Sequence, residues 1–165
     1  MPRTGKVPKR QSEPDPIYQN PTVTKLVNKI MKEGKKTVAQ KIVYETFSKI
    51  KNQGQDPIET FEKALDNVMP KMEVKPRRVG GASYMVPMEV RGSRRQSLAI
   101  SWLVQAARAR TVSEIEEKPK NQPLMIEKLT KEILEAAAGG GKAVAKREEM
   151  NRMAEANKAF AHFRW

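Results

Sequence analysis

The sequence predicts a mainly α fold: a six-helix single domain with a protruding two-stranded β-hairpin and an extended basic N-terminal arm. Three observations carry this. Apolar residues recur with helical period in six stretches separated by Gly or Pro. One stretch, Met72 to about Arg91, instead pairs two Val-, Tyr- and Met-bearing runs around Gly80-Gly81, and such a turn needs positive φ angles that glycine reaches without steric cost. The first twenty residues offer almost nothing apolar to bury and hold Pro2, Pro8, Pro14 and Pro16, which block helix.

The elements follow in order. Residues 1–20 form the arm, with Arg3, Lys6, Lys9 and Arg10 and no acid in its first ten residues. Residues 21–165 form the helical domain, with the hairpin at about 72–91. Asn20-Pro21 gives an N-cap and a first-turn proline. Val23, Leu26, Val27, Ile30 and Met31 then make one stripe, stopped by Gly34. A second helix runs from about Lys35 to Asn52 with Val38, Ile42, Val43, Phe47 and Ile50 inward. Asp56-Pro57-x-Glu59 opens a third, whose Ile58, Phe61, Leu65, Val68 and Met69 face the core until Pro70. In the hairpin, Pro76 and Pro87 are acceptable because both strands of a ribbon are edges. Ser93-x-x-Gln96 caps a fourth helix, Arg94 to about Arg110, whose LAISWLVQAA centre is apolar nearly all round and so predicts burial. Pro123 opens a fifth through Ala138, with Ile126, Leu129, Ile133 and Leu134 inward. After Gly139-Gly140-Gly141 a sixth runs from about Lys142 to Phe160, with Met150, Met153, Ala154 and Phe160 on its apolar side and Glu148 spaced to pair with Arg152.

Charge points to a polyanion. The chain of 165 residues carries a net +13, an excess that self-repels in a folded body unless an anionic partner offsets it. From Ser113 to Glu135 six acids face four lysines, a net of −2, so the remainder carries +15. From Val90 to Ser113 there is no acid, and the cations Arg91, Arg94, Arg95, Arg108 and Arg110 are all guanidinium, which grips phosphate with two hydrogen bonds. Lys25, Lys29 and Lys32, then Lys35 and Lys36, line an acid-poor helical strip suited to phosphate contact. Tyr84, Met85 and Met88 on the ribbon either pack on the helices or stack on nucleotides, and the spacing favours neither.

Other classes are poorly supplied. No run approaches the roughly eighteen apolar residues of a membrane span, and the N-terminus has no apolar core of a secretory signal. With no cysteine and His162 alone, neither a thiolate or histidine metal site nor a conventional triad has its parts. Gly139-Gly140-Gly141-Lys142 departs from a Walker loop at Ala136 and Ala143. Glu114, Glu116 and Glu117 read as a solvated face. No catalytic residues, cofactor or metal are expected. An architectural DNA-binding protein using a β-arm is the competing reading, although such proteins are usually short obligate dimers and this chain is long enough to fold alone.

Specific strings then resemble a known family. Asp15-Pro16-Ile17-Tyr18, Lys75 with Arg77-Arg78-Val79-Gly80-Gly81-Ala82, Tyr84, Val86-Pro87 and Glu89-Val90 are similar to the bacterial small-subunit ribosomal protein S-seven family. So is the ending, Lys146-Arg147-Glu148-Glu149 and then Met153 through Trp165. Pro76, Met85 and Asn151 stand where the family pattern has alanine, glutamine and histidine. The resemblance implies a structural constituent of the small ribosomal subunit that binds the 3′ major domain of 16S-type ribosomal RNA and nucleates head assembly. It implies a hairpin at the subunit interface near the exit-site transfer RNA, messenger RNA nearby, and small-subunit ribosomal proteins nine and eleven as neighbours. It implies a cytoplasmic location in the small ribosomal subunit, without separating a bacterial source from a plastid-encoded one, and no membrane partner or obligate homo-oligomer. Carried onto this chain, the ribosomal-RNA-binding residues are Arg3, Lys9, Arg10, Lys35, Lys36, Lys75, Arg77, Arg78, Arg94, Arg95, Lys142 and Lys146. Tyr84 and Met85 are the residues expected to face transfer RNA.

Overall fold

A computed structural model describes residue 5, residues 12–114 and residues 123–163. Among these it has six α-helices, α1 (Pro21–Ile30), α2 (Lys36–Asn52), α3 (Pro57–Val68), α4 (Gly92–Ala109), α5 (Leu124–Ala137) and α6 (Gly141–Ala156). Strands β1 (Met72–Val79) and β2 (Ala82–Glu89) stand between α3 and α4, and 3-10 segments cover Val112–Glu114 and Lys158–Phe163.

Local chemistry sets most of these boundaries. Asn20 accepts from the Thr22 amide at 2.8 Å, and Asp56 from Ile58 and Glu59 at 2.8 and 3.3 Å, so each cap satisfies amides that a helix start leaves unpaired. The hairpin turn has φ of 58° at Gly80 and 89° at Gly81, the double-positive geometry whose twist matches paired strands. Val79 faces Ala82 across that turn, and Pro76 and Pro87 face Met85 and Val74. Counting outward in alternation from the hydrogen-bonded Val79–Ala82 pair puts both prolines in non-hydrogen-bonded pairs, where a missing N–H costs nothing.

The core is built around α5, which packs against α2, α3, α4 and α6. Leu26, Phe47, Ile50, Phe61, Leu103, Ile126, Leu129 and Ile133 are all fully buried there. Phe47 and Phe61 meet with ring centroids 5.7 Å apart. Each such side chain withdrawn from water stabilises the fold by about 1.5–3 kcal/mol. The apolar centre of α4 is buried as expected, through Ala99, Ile100, Trp102, Leu103, Val104, Ala106 and Ala107.

Several expectations are corrected. Ser93 does not cap α4: the helix begins earlier, with Arg91 at the cap and its carbonyl accepting from Arg94 and Arg95 at 2.9 Å each. Gln96, the expected capping-box partner, instead donates to the Thr22 hydroxyl and accepts from Lys25. Val38 is half exposed, and Ala39 takes its place inward. The last helix ends at Ala156, where Asn157 turns its side-chain amide back onto the Met153 carbonyl at 2.8 Å. Its buried side is Ala143, Val144 and Ala154, while Met153 is exposed. Glu148 meets Arg147, not Arg152.

Two buried carboxylates hold the frame together. Asp15 is 3% exposed and accepts from the Ile17 and Tyr18 amides and the Tyr44 hydroxyl. Tyr18 then packs edge-on against Phe47 at 5.1 Å, so residues 15–18 are docked on the helices and are not part of an extended arm. Glu132 is fully buried and binds Arg110, whose guanidinium also reaches Glu135. Its other oxygen accepts the Ala143 amide at 2.8 Å, which fixes the start of α6. Gly141 (φ 86°) lies so close that an added Cβ would meet Glu132 Oε1 at 3.1 Å.

Candidate nucleic-acid interface

The arm is anchored at its base by Glu73, 6% exposed on β1. Lys75 donates to it at 2.8 Å, and Arg94 Nε to its two oxygens at 3.0 and 2.7 Å. Burial pushes the pKa of this carboxyl up, but the hydrogen bonds from Lys75 and Arg94 outweigh that and hold it below the usual range. The ionised carboxylate therefore ties the hairpin to the first turn of α4. Arg95 adds a hydrogen bond to the Pro70 carbonyl at 3.2 Å.

These contacts sort the expected phosphate-binding residues. Lys75 and Arg94 share Glu73, yet their side chains remain 45% and 53% exposed. Arg78 is exposed and Arg77 half-buried, and neither has a carboxylate partner among the described residues. Lys35 pairs with Glu33 in an open surface contact at 2.8 Å, which is worth little. Lys36, Lys142 and Lys146 are exposed. Arg3, Lys9 and Arg10 lie outside the described residues, as do Glu116 and Glu117. Of the arginine series, Arg110 is internal to the fold, and Arg108 donates to the Lys29 and Ile30 carbonyls at the end of α1.

The elements bearing the surface cations adjoin one another: α1 packs on α4, α4 on α6, and α6 on both strands. Between α1 and α4 opens a cleft of about 350 Å³ lined by Lys25, Asn28, Lys29, Ser93, Gln96, Ser97 and Ile100. Its polar groups are ammonium, hydroxyl and carboxamide, with no carboxylate. The sequence flagged Lys25 and Lys29, but the α4 residues that complete the cleft are joined to them only by tertiary packing. Meanwhile Glu127, which engages Lys49, Glu132 and Glu135 are spent on internal pairs. The fold thus turns several acids inward and leaves arginines and lysines outward, a surface able to neutralise a chain of phosphates.

At the outer part of the arm the two expected transfer-RNA-facing residues part company. Met85 is 51% exposed. Tyr84, on the opposite face of the ribbon, is half-buried against Phe160 and Phe163 of the C-terminal 3-10 segment, with centroids 5.2 Å away in both cases. Sequence reasoning placed Phe160 in the last helix and gave it no link to Tyr84, because the residues are 76 positions apart.

Among the described residues no helix is long and apolar enough to cross a membrane, and no group of three or more His, Asp or Glu is arranged to hold a metal ion. Comparison with known proteins is specific. The family model for ribosomal protein S7p/S5e matches residues 2–158. Small ribosomal subunit protein uS7 of Carboxydothermus hydrogenoformans is 56% identical over the full length of both chains. Those of Moorella thermoacetica and Caldanaerobacter subterraneus are each 55% identical, again across the whole of both chains. On this match, in both its family pattern and its length, the chain belongs to the ribosomal protein S7p/S5e family.

Proposed function

We propose that the protein is a structural constituent of the small ribosomal subunit, not an enzyme, and binds 16S-type ribosomal RNA directly in its 3′ major domain to nucleate head assembly. The observation that carries the reading is the run of surface cations on adjoining elements: Arg77 and Arg78 on the arm, Arg91 at the start of α4, Lys25 and Lys29 on α1, and Lys146 on α6. Lys75, Arg94, Arg95, Lys35, Lys36 and Lys142 extend it, and Arg3, Lys9 and Arg10 belong to the same proposal through the N-terminal arm. Full-length identity above one half to proteins named for the small subunit supports it. The hairpin, with Met85 outward, is proposed to lie at the subunit interface near the exit-site transfer RNA and the messenger. Ribosomal proteins nine and eleven are the proposed protein neighbours.

The test is a salt-dependent competition assay. Labelled 3′-major-domain RNA is challenged with unrelated structured RNA and with duplex DNA of equal length. A preference of about a thousandfold or more near physiological salt supports specific scaffold binding. Equal competition by all three, collapsing together with salt, would leave only a nonspecific polycation and refute the proposal.

A further inference from the structure

Among the described residues the aromatic side chains fall into three groups. Phe47, Phe61 and Trp102 are core, and Tyr18 and Tyr44 hold the N-terminal turn. Tyr84, Phe160 and Phe163 belong to neither: all three are only half-buried, outside the main core cluster. Phe160 and Phe163 lie nearly parallel, 12° apart with centroids separated by 6.5 Å, and Tyr84 sits 5.2 Å from each, tilted by 46° and 35°. The Tyr84 hydroxyl has no hydrogen-bond partner among the described residues. Arg77 stands directly opposite Tyr84 in the strand register, and so on the same face of the ribbon, without a carboxylate partner there. Lys158 and His162, on the same 3-10 segment, are exposed.

We infer that Tyr84 and Phe160, with Phe163 behind them, form a stacking platform for an unpaired base of single-stranded RNA, with Arg77 placed for its phosphate. This rests on the RNA-binding reading above and adds a site to it. A brace between the ribbon and the C-terminal segment needs apolar volume alone, which leucine or isoleucine supplies as well. What these residues add is partly exposed aromatic rings beside a guanidinium with no carboxylate partner among the described residues, the combination that binds bases with little regard to sequence.

The test uses the full chain and two probes: a short mixed-sequence single-stranded RNA, and an abasic strand with the same sugar-phosphate backbone. Tyr84→Leu and Phe160→Leu keep apolar volume and remove the ring. Each should weaken binding of the base-bearing strand by about tenfold, the scale of one lost base stack, and leave abasic-strand affinity and thermal unfolding unchanged. Ring protons of Tyr84 and Phe160 should shift upfield on adding the base-bearing strand only. Leucine variants that bind both strands like the native protein, or lose both equally, would reduce the rings to a brace and overturn the platform, while specific binding of the 3′-major-domain RNA would still stand. Native protein that binds neither strand nor that RNA would overturn the RNA reading and the platform together.

Discussion

Replacing Arg110 by methionine tests whether the helices around α5 are locked by charge. Arg110 and Glu132 have side chains 3% and 0% exposed, and the guanidinium reaches Glu135 as well. Burial opposes its charge, but the hydrogen bonds to Glu135 and Glu132 outweigh that and raise its pKa above the usual value. Methionine fills much of the volume and strands a fully buried carboxylate. Breaking a buried pair from one side costs about 3–5 kcal/mol. At about 2–4 °C per kcal/mol for a chain of this size, the melting temperature should fall by roughly 6–20 °C. Adding Glu132→Gln should recover part of the loss, because the amide oxygen can still accept the Ala143 N–H without a buried charge. Denaturant and thermal unfolding of both single variants and the double variant give the coupling energy. An Arg110→Met cost below about 1 kcal/mol, the range of an open surface pair, would refute the lock.

Further predictions concern the arm, the caps and the cationic surface. Since the folded-state pKa of Glu73 is lowered, its stabilising contribution is present above the unfolded value of about 4.3 and is lost as pH falls through the folded value. Protection of the β1 amides relative to their intrinsic exchange rates should therefore fall as pH drops below that unfolded value, and Glu73→Gln should remove that dependence. Asp56→Ala removes the acceptor for two amides of α3 and should cost about 1 kcal/mol in denaturant unfolding. Replacing Arg77 and Arg78 together by alanine should flatten the plot of log K for ribosomal RNA against log salt by roughly 1.4–1.8, since up to two counterion releases are lost. Arg94→Ala should weaken RNA binding and loosen the arm together, visible as faster exchange in β1. An unchanged slope for the first variant would remove both arginines from the interface.

The helices, the ribbon and the sign of the surface are all legible in the amino-acid order. Those features are local: caps such as Asn20 and Asp56 act within three residues, Gly80-Gly81 encodes its own turn, and net charge needs no geometry. Tertiary structure decided which polar residues are spent inside. Arg110 reads like any other arginine of its series until Glu132, 22 residues away, takes it into the core. Gln96 has the spacing of a capping partner, but Thr22, 74 residues distant, offers it a better bond. Tyr84 and Phe160 meet only because Asn157 turns the last helix into a 3-10 segment that returns to the ribbon. Hydrogen bonds and ion pairs between distant residues leave no period in a sequence, since their partners are chosen by packing. The basic character of the surface was therefore legible from composition, and its layout only from the folded chain.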